Sequence, residues 1–210
     1  MKVILINGSP HQMGCTYTAL CEVGKTLNNS DIEIQHFWIG NKPLSGCIAC
    51  GGCVKNGKCV IEDTVNQFLD LAQNADGFIF GSPVHYAAAS GAMTSFMDRT
   101  FFSDLCGKRN SFYLKPAAAL VSARRAGTTA TLDQLNKYFL HAQMFVVPSR
   151  YWNMVYGNSP EQVMEDKEGL QIMRTMGRNM AYILGCQQKG SENGIKLPEK
   201  EERIATNFIR

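Results

Sequence analysis

Short unbroken apolar runs alternate along the chain with apolar stripes at helical spacing. Val3 to Ile6 is one such run, stopped by Asn7-Gly8-Ser9-Pro10, which is the signature of a strand buried on both faces. Tyr17, Leu20, Gly24 and Leu27 then recur at helical spacing and end at Asn28-Asn29. Ile32 to Phe37 predicts a second strand. Thr64-x-x-Gln67 reads as a capping box opening a helix with Val65, Phe68, Leu69 and Ala72 on one face. Asp76 to Gly81 predicts a third strand, released at Ser82-Pro83, and Gly91 to Phe102 the helix after it. The run that follows Lys115-Pro116 predicts a fourth strand, Leu132, Leu135 and Phe139 mark a further helix, and Met144 to Val147 predicts a fifth strand closed by Pro148. One long helical stripe occupies Ser159 to about Cys186. Beyond it lies a polar tail, residues 187–210, with a charged segment at Glu199 to Arg203 as a candidate last helix.

Five strands alternating with helices predict an α/β fold, a doubly wound parallel sheet with helices on both faces. Right-handed crossovers leave few topologies, and the strand order 2-1-3-4-5 of the flavodoxin-like class fits five strands best. At 210 residues and 45% hydrophobic content, the chain suits one buried core, here residues 1–186. A net charge of +3, with lysines and arginines scattered, argues against a nucleic-acid partner. The apolar start is too short for a signal peptide, and no run reaches the length of a membrane span. These readings predict a cytoplasmic protein with no membrane partner, in which thiols stay reduced and clustered cysteines serve metal or redox chemistry.

The thiol pattern therefore changes the picture most. Four of the eight cysteines fall in C-I-A-C-G-G-C-V-K-N-G-K-C, from Cys47 to Cys59, inside a loop over residues 39–61 that is long for an αβ connection. The spacing C-x2-C-x2-C-x5-C is near the compact run of bacterial ferredoxins, but its last gap is longer and no proline follows. Cys47, Cys50, Cys53 and Cys59 are candidate ligands of an iron-sulfur cube or of zinc; a redox dithiol and plain buried thiols compete.

In a doubly wound sheet, ligands bind beyond the carboxyl ends of the strands, at the switch between strands 1 and 3. Three loops reach that place. Gly8 to Thr16 joins strand 1 to a helix N-terminus, where free N–H groups and the helix dipole favour a phosphate and Ser9 and Thr16 add hydroxyls. It is neither a Walker loop nor G-x-G-x-x-G, and serine and glycine also populate ordinary βα turns. Pro83, Val84, His85 and Tyr86 follow strand 3 and offer main-chain groups and flat side chains to a planar heterocycle. Ser122 to Gly127, with Arg124, follows strand 4 and is set to meet the polar edge of such a ring, or else is a solvated basic turn.

These stretches resemble the NAD(P)H-dependent FMN reductases of flavodoxin-like fold, and within them the iron-sulfur flavoproteins. The first loop is similar to G-S-P-R-x-x-G-N-T, and G-S-P-V-H-Y-A-A-A-S-G-A-M-T-S-F-M-D-R is similar to G-[ST]-P-V-Y-x-x-x-x-[SG]-x-x-K-x-F-[IL]-D-R. The cysteine run stands at the family position between strand 2 and helix 2. The resemblance implies FMN held at its phosphate by Ser9, Gly14, Thr16 and the intervening amides. It also implies an isoalloxazine lined by Pro83, Val84, His85 and Tyr86, and approached by Ser122, Arg124 and Gly127. His11 replaces the usual arginine and Cys15 the usual asparagine, which weakens or replaces one charged phosphate contact and one polar contact. Thr94 takes the place of a frequent lysine. The resemblance further implies a [4Fe-4S] cluster on the four cysteines and NAD(P)H as co-substrate. Electrons would pass to a small-molecule acceptor or a ferredoxin-like protein, and the chain would be a homodimer or homotetramer. No acid–base dyad is visible, and a cofactor enzyme needs none. A non-catalytic flavin and iron-sulfur electron carrier, and a zinc-stabilised binding module without flavin, are the alternative readings.

Overall fold

The computed structural model describes residues 1–202, 204, 206 and 208. Its centre is a parallel sheet whose inner strands are buried on both sides. Strand β1 (Lys2–Asn7) lies between β2 (Glu33–Trp38) and β3 (Gly77–His85), and β3 is followed by β5 (Pro116–Ala123) and β6 (Phe145–Val146). With β5 and β6 as the fourth and fifth parallel strands, the order is the expected 2-1-3-4-5. Alternation along each strand feeds two separate cores. Ile4 and Ile6 of β1, Phe78 and Phe80 of β3 and Ala119 and Val121 of β5 face one side. Val3, Leu5, Ile79, Ala118 and Leu120 face the other. Helices α3 (Thr64–Ala72), α4 (Gly91–Cys106) and α5 (Thr128–His141) cover the first face, which is dense in phenylalanine; α1 (Cys15–Asn28) and α7 (Lys167–Glu192) cover the second. Among the described residues, no helix is long and apolar enough to cross a membrane.

Five details depart from the sequence reading. Strand β3 does not stop at Gly81. It runs to His85, turns at Tyr86–Ala87 and returns as β4 (Ala88–Ala89), so the expected loop is a hairpin held by antiparallel pairing of Val84 with Ala89. The fifth strand position is shared by two short strands, β6 on Pro116 and Ala117 and β7 (Met154–Tyr156) on Val121 to Ala123. Pro148 lacks the N–H needed to continue pairing, and the chain bulges away until Asn153 closes the gap, donating Nδ2–H to Ala119 O (3.0 Å) and accepting Val121 N–H (2.9 Å). The single long helix breaks at Asp166 into α6 (Pro160–Glu165) and α7, because the Asp166 carboxylate caps α7 through Gly169 N–H (2.9 Å) and takes Tyr156 N–H (2.7 Å). The cap of α3 is Asp63, which accepts Val65 N–H at 3.0 Å, one residue before the Thr64 of the expected box. Helix α7 continues to Glu192. No helix forms over residues 195–202, and Arg203, the end of the candidate last helix, lies outside the described residues.

Candidate functional site

The loop after β1 is built from the strand end upward. Asn7 accepts Ser9 N–H (3.0 Å) and donates Nδ2–H to Gln12 O (3.0 Å), while Ser9 Oγ accepts His11 N–H (3.1 Å). Trp38, at the end of β2, donates its indole N–H to Ser9 O at 2.8 Å. The loop is thus fixed from below, and His11, Gln12 and Met13 stand exposed at its crest. Gly14 is the N-cap of α1 and supplies no side-chain acceptor, so the amides of the first turn point into the groove beside the loop. That groove, about 600 Å³, is walled by His11, Gly14, Cys15, Trp38, Asn41 and Ser159. Cys15 turns its thiol to Gly157 O (3.6 Å), and burial pushes its pKa up, so it sits there as a neutral thiol.

The structure joins the three sequence-predicted loops at the β1/β3 switch. Gly8 N–H bonds Gly81 O (2.8 Å), and Ser90, capping α4, donates Oγ–H to Gly8 O (2.9 Å). Thr16 and Ser122, both buried, share a hydrogen bond at 2.8 Å. Gly127 has φ +96°, and a Cβ there would lie 2.6 Å from Ala87 Cα and 2.9 Å from Val84 Cγ1, so the β5 loop rests directly on the hairpin. Pro83 pairs with Ser122 across the sheet. Three predicted residues look away from this packing: His85 and Arg124 are exposed, and Tyr86 is wholly so. Tyr86 and Ala87 both hold left-handed backbone, φ +49° and +59°, the conformation of a type I′ turn without its usual glycine or asparagine.

The cysteines form a second, separate site that shares no lining residue with the groove. Cys47, Cys50, Cys53 and Cys59 all line one hollow, with Arg99 and Phe102 of α4 as its far wall. Cys53 is buried on the short helix α2 (Gly52–Asn56), whose flanking residues Gly51 and Gly57 are left-handed (φ +68° and +69°) and reverse the chain at both ends. Burial, with Cys106 close by, pushes the Cys53 thiol up. Cys47 and Cys50 are exposed. Among the described residues, no three His, Cys, Asp or Glu side chains are grouped as they would be around a metal ion.

Sequence reasoning missed the residues that build the hollow: Arg99, Asp63 and Asn66. Arg99 is 1% exposed, its guanidinium forked onto Asp63 at 2.6 and 2.9 Å. Burial works against its charge, but the bonds to Asp63 and Cys59 outweigh that and raise its pKa. A signal was present, since Arg99 continues the buried stripe of Met93 and Phe96 at helical spacing. Asn66 clasps the Cys59 backbone, accepting its N–H (3.0 Å) and donating to its carbonyl (2.8 Å).

Comparison with known proteins agrees with this arrangement. Residues 1–159 match the family model of the NADPH-dependent FMN reductases. An iron-sulfur flavoprotein of Methanocaldococcus jannaschii is 32% identical over 198 residues, covering 90% of this chain and 100% of its own. Another, from Methanosarcina thermophila, is 25% identical over 91% of this chain and 100% of its own. Among solved structures, RosB with a bound intermediate has a TM-score of 0.68 at 13% identity, covering 100% of this chain and 94% of its own. A flavodoxin from the domain Archaea has 0.58 at 16%, covering 88% and 99%. The last two establish the flavodoxin-like fold, and the family match and the 32% relative go further: the chain belongs to the NADPH-dependent FMN reductase family of flavodoxin-like fold, in its iron-sulfur flavoprotein branch.

Proposed function

We propose that the protein is an FMN-dependent oxidoreductase that takes electrons from NAD(P)H and delivers them, through a [4Fe-4S] cluster, to a small-molecule acceptor or a ferredoxin-like protein. It would act in the cytoplasm as a homodimer or homotetramer. The observation that carries the reading is that one chain holds both an uncapped α1 N-terminus at the β1/β3 crevice and four thiols around one hollow.

The residues at the crevice fit FMN. Amides of the first turn of α1, with the helix dipole behind them, favour the phosphate dianion. Ser9 Oγ already accepts an amide and keeps its own proton to donate; His11 stands at the crest where the family has arginine. Pro83 and Val84 give a half-buried wall for a flat ring, and the exposed Tyr86–Ala87 turn lies at its end. The flavin, when bound, supplies hydride acceptance and release of electrons singly or in pairs.

The thiols fit an iron-sulfur cube better than zinc. A tetrahedral zinc draws four sulfurs to about 2.3 Å from one centre. The four thiols show no such convergence. A cube takes one thiolate on each of its irons and so accepts a wider ring, and its donor set of four thiols without carboxylate or imidazole matches the lining here. The hollow holds about 20 Å³, so the exposed arm carrying Cys47 and Cys50 must open to admit a group of that size. Such a cluster supplies one-electron relay. The names of the relatives support the same assignment.

Anaerobic purification followed by a visible spectrum and assays of iron, sulfide and zinc tests both sites together. The expected result is stoichiometric flavin with iron and sulfide. Absence of flavin after FMN addition would defeat the proposal. Stopped-flow mixing with NADH and with NADPH then tests the donor: bleaching far slower than turnover, with rapid exchange to a protein partner, would make the chain an electron carrier instead.

A further inference from the structure

We propose that Arg99 is the positioning residue of the thiol site, holding the Cys59 sulfur in place as a preformed ligand and setting the reduction potential of whatever redox group the thiols carry. This rests on the cluster reading above and goes beyond it, because Arg99 is neither a ligand nor part of the flavin crevice. Every N–H of the guanidinium has an acceptor. Nε–H reaches Cys59 Sγ at 3.4 Å; Nη1 gives its two N–H groups to Asp63 (2.6 Å) and Ser45 O (3.4 Å); and the two N–H groups of Nη2 are shared among Asp63 (2.9 Å), Ile61 O (2.9 Å) and Cys59 Sγ (3.4 Å). The acceptors come from the segment before Cys47, the segment after Cys59 and the cap of α3. One side chain therefore closes both ends of the cysteine loop on α4.

Two guanidinium nitrogens directed at one sulfur fix its position from the α4 side, and the arginine brings a permanent positive charge beside it. Asp63 balances the arginine, which otherwise would be a lone buried charge. With the Asn66 clasp on its backbone, Cys59 is fixed at main chain and sulfur alike, while Cys47 and Cys50 are exposed. Cys59 and the buried Cys53 thus form the anchored half of the site, and Cys47 and Cys50 its exposed half. Hydrogen bonds and positive charge at a ligating sulfur disperse its negative charge, which favours the reduced cluster and raises its potential.

The test uses the reconstituted full chain with Arg99→Lys, which keeps the charge and loses the fork, and Arg99→Met, which loses both. Spectroelectrochemical titration is expected to give a more negative midpoint in both variants, larger for Met. Iron retention against a chelator should fall about 10- to 100-fold. FMN affinity and the far-UV spectrum should stay at wild-type values, because the crevice is a separate site. An unchanged midpoint in both variants overturns the proposal. Joint loss of secondary structure, flavin and iron in both also overturns it, by assigning Arg99 to folding alone. Wild-type protein that takes up flavin but no iron and sulfide defeats the cluster reading itself, an outcome visible before any variant is made.

Discussion

Gly127→Ala is the sharpest perturbation the crevice offers, because its effect separates into two parts that a matched control can divide. The first is conformational: an L-residue held at φ +96° carries a penalty of roughly 1–2 kcal/mol. The second is steric. The new methyl would lie 2.6 Å from Ala87 Cα, 2.9 Å from Val84 Cγ1 and 3.0 Å from Ala87 Cβ. Carbon atoms prefer about 3.5–4.0 Å, so the hairpin must retreat by about 1 Å, and overpacking of this kind costs about 1–3 kcal/mol. The sum is about 2–5 kcal/mol. Gly40 has nearly the same backbone, φ +91°, with nothing within 4 Å of its added Cβ, so Gly40→Ala carries the conformational part alone. Urea unfolding of the flavin-free proteins, with equal m-values, gives the difference between the variants, expected at about 1–3 kcal/mol. FMN titration by fluorescence quenching then asks whether the hairpin belongs to the flavin site. The dissociation constant should rise in Gly127→Ala, about tenfold for each 1.4 kcal/mol by which the displaced hairpin weakens its hold on the ring, and stay unchanged in Gly40→Ala. Equal stability of the two variants would refute the steric argument. Unaltered FMN affinity in Gly127→Ala would remove the hairpin from the site.

Relief of strain at the same hairpin predicts the opposite sign: Ala87→Gly, at φ +59°, should gain roughly 1–2 kcal/mol of relief and lose about 0.5–1 to unfolded-chain entropy. The net gain should appear as a higher urea midpoint, and a lower one would sink the reading. Thr16→Val and Ser122→Ala each strand a buried hydroxyl, costing about 1–3 kcal/mol apiece. The double variant should cost clearly less than their sum, whereas strict additivity would show that the two hydroxyls do not interact. Tyr138 donates its hydroxyl to Asp98, and burial together with that carboxylate raises its pKa. The folded state keeps a proton that the unfolded state releases above about pH 10, so stability should fall there as pH rises, by at most about 1.4 kcal/mol per pH unit. Tyr138→Phe should flatten that fall, and an identical pH profile would contradict it.

The centre of the sheet was legible because its inner strands are buried on both faces, and a strand with two buried faces writes itself as an unbroken apolar run such as Val3–Ile6 or Phe78–Phe80. What escaped were pairings that depend on tertiary partners. Ala88–Ala89 becomes a strand only because Val84 lies opposite, and the division into β6 and β7 depends on Asn153 reaching the β5 backbone. The break at Asp166 escaped for a related reason. The apolar stripe continues across it, and the carboxylate that caps α7 through Gly169 N–H is held at the break by Tyr156 N–H from β7. At the site, short-range spacing was readable and long-range chemistry was not. The cysteine spacing gives four thiols, yet the guanidinium that orders one of them comes from 40 residues away.

Helix α4 shows how such partners become readable. Its buried residues include Met93, Phe96 and Met97 but also Arg99, Thr100, Ser103 and Asp104, so its polar positions are not confined to a solvent face. Buried polar groups usually have something that answers them, and although the Thr100 hydroxyl has no partner, two positions of this helix do. Ser90, its cap, answers the loop after β1 through Gly8 O, and Arg99, nine residues on and thus roughly 14 Å along the axis, answers Cys59. One rigid element therefore indexes both sites against each other. A polar residue falling on the apolar stripe of a helix, as Arg99 does after Met93 and Phe96, is then a pointer to chemistry that lies elsewhere in the sequence.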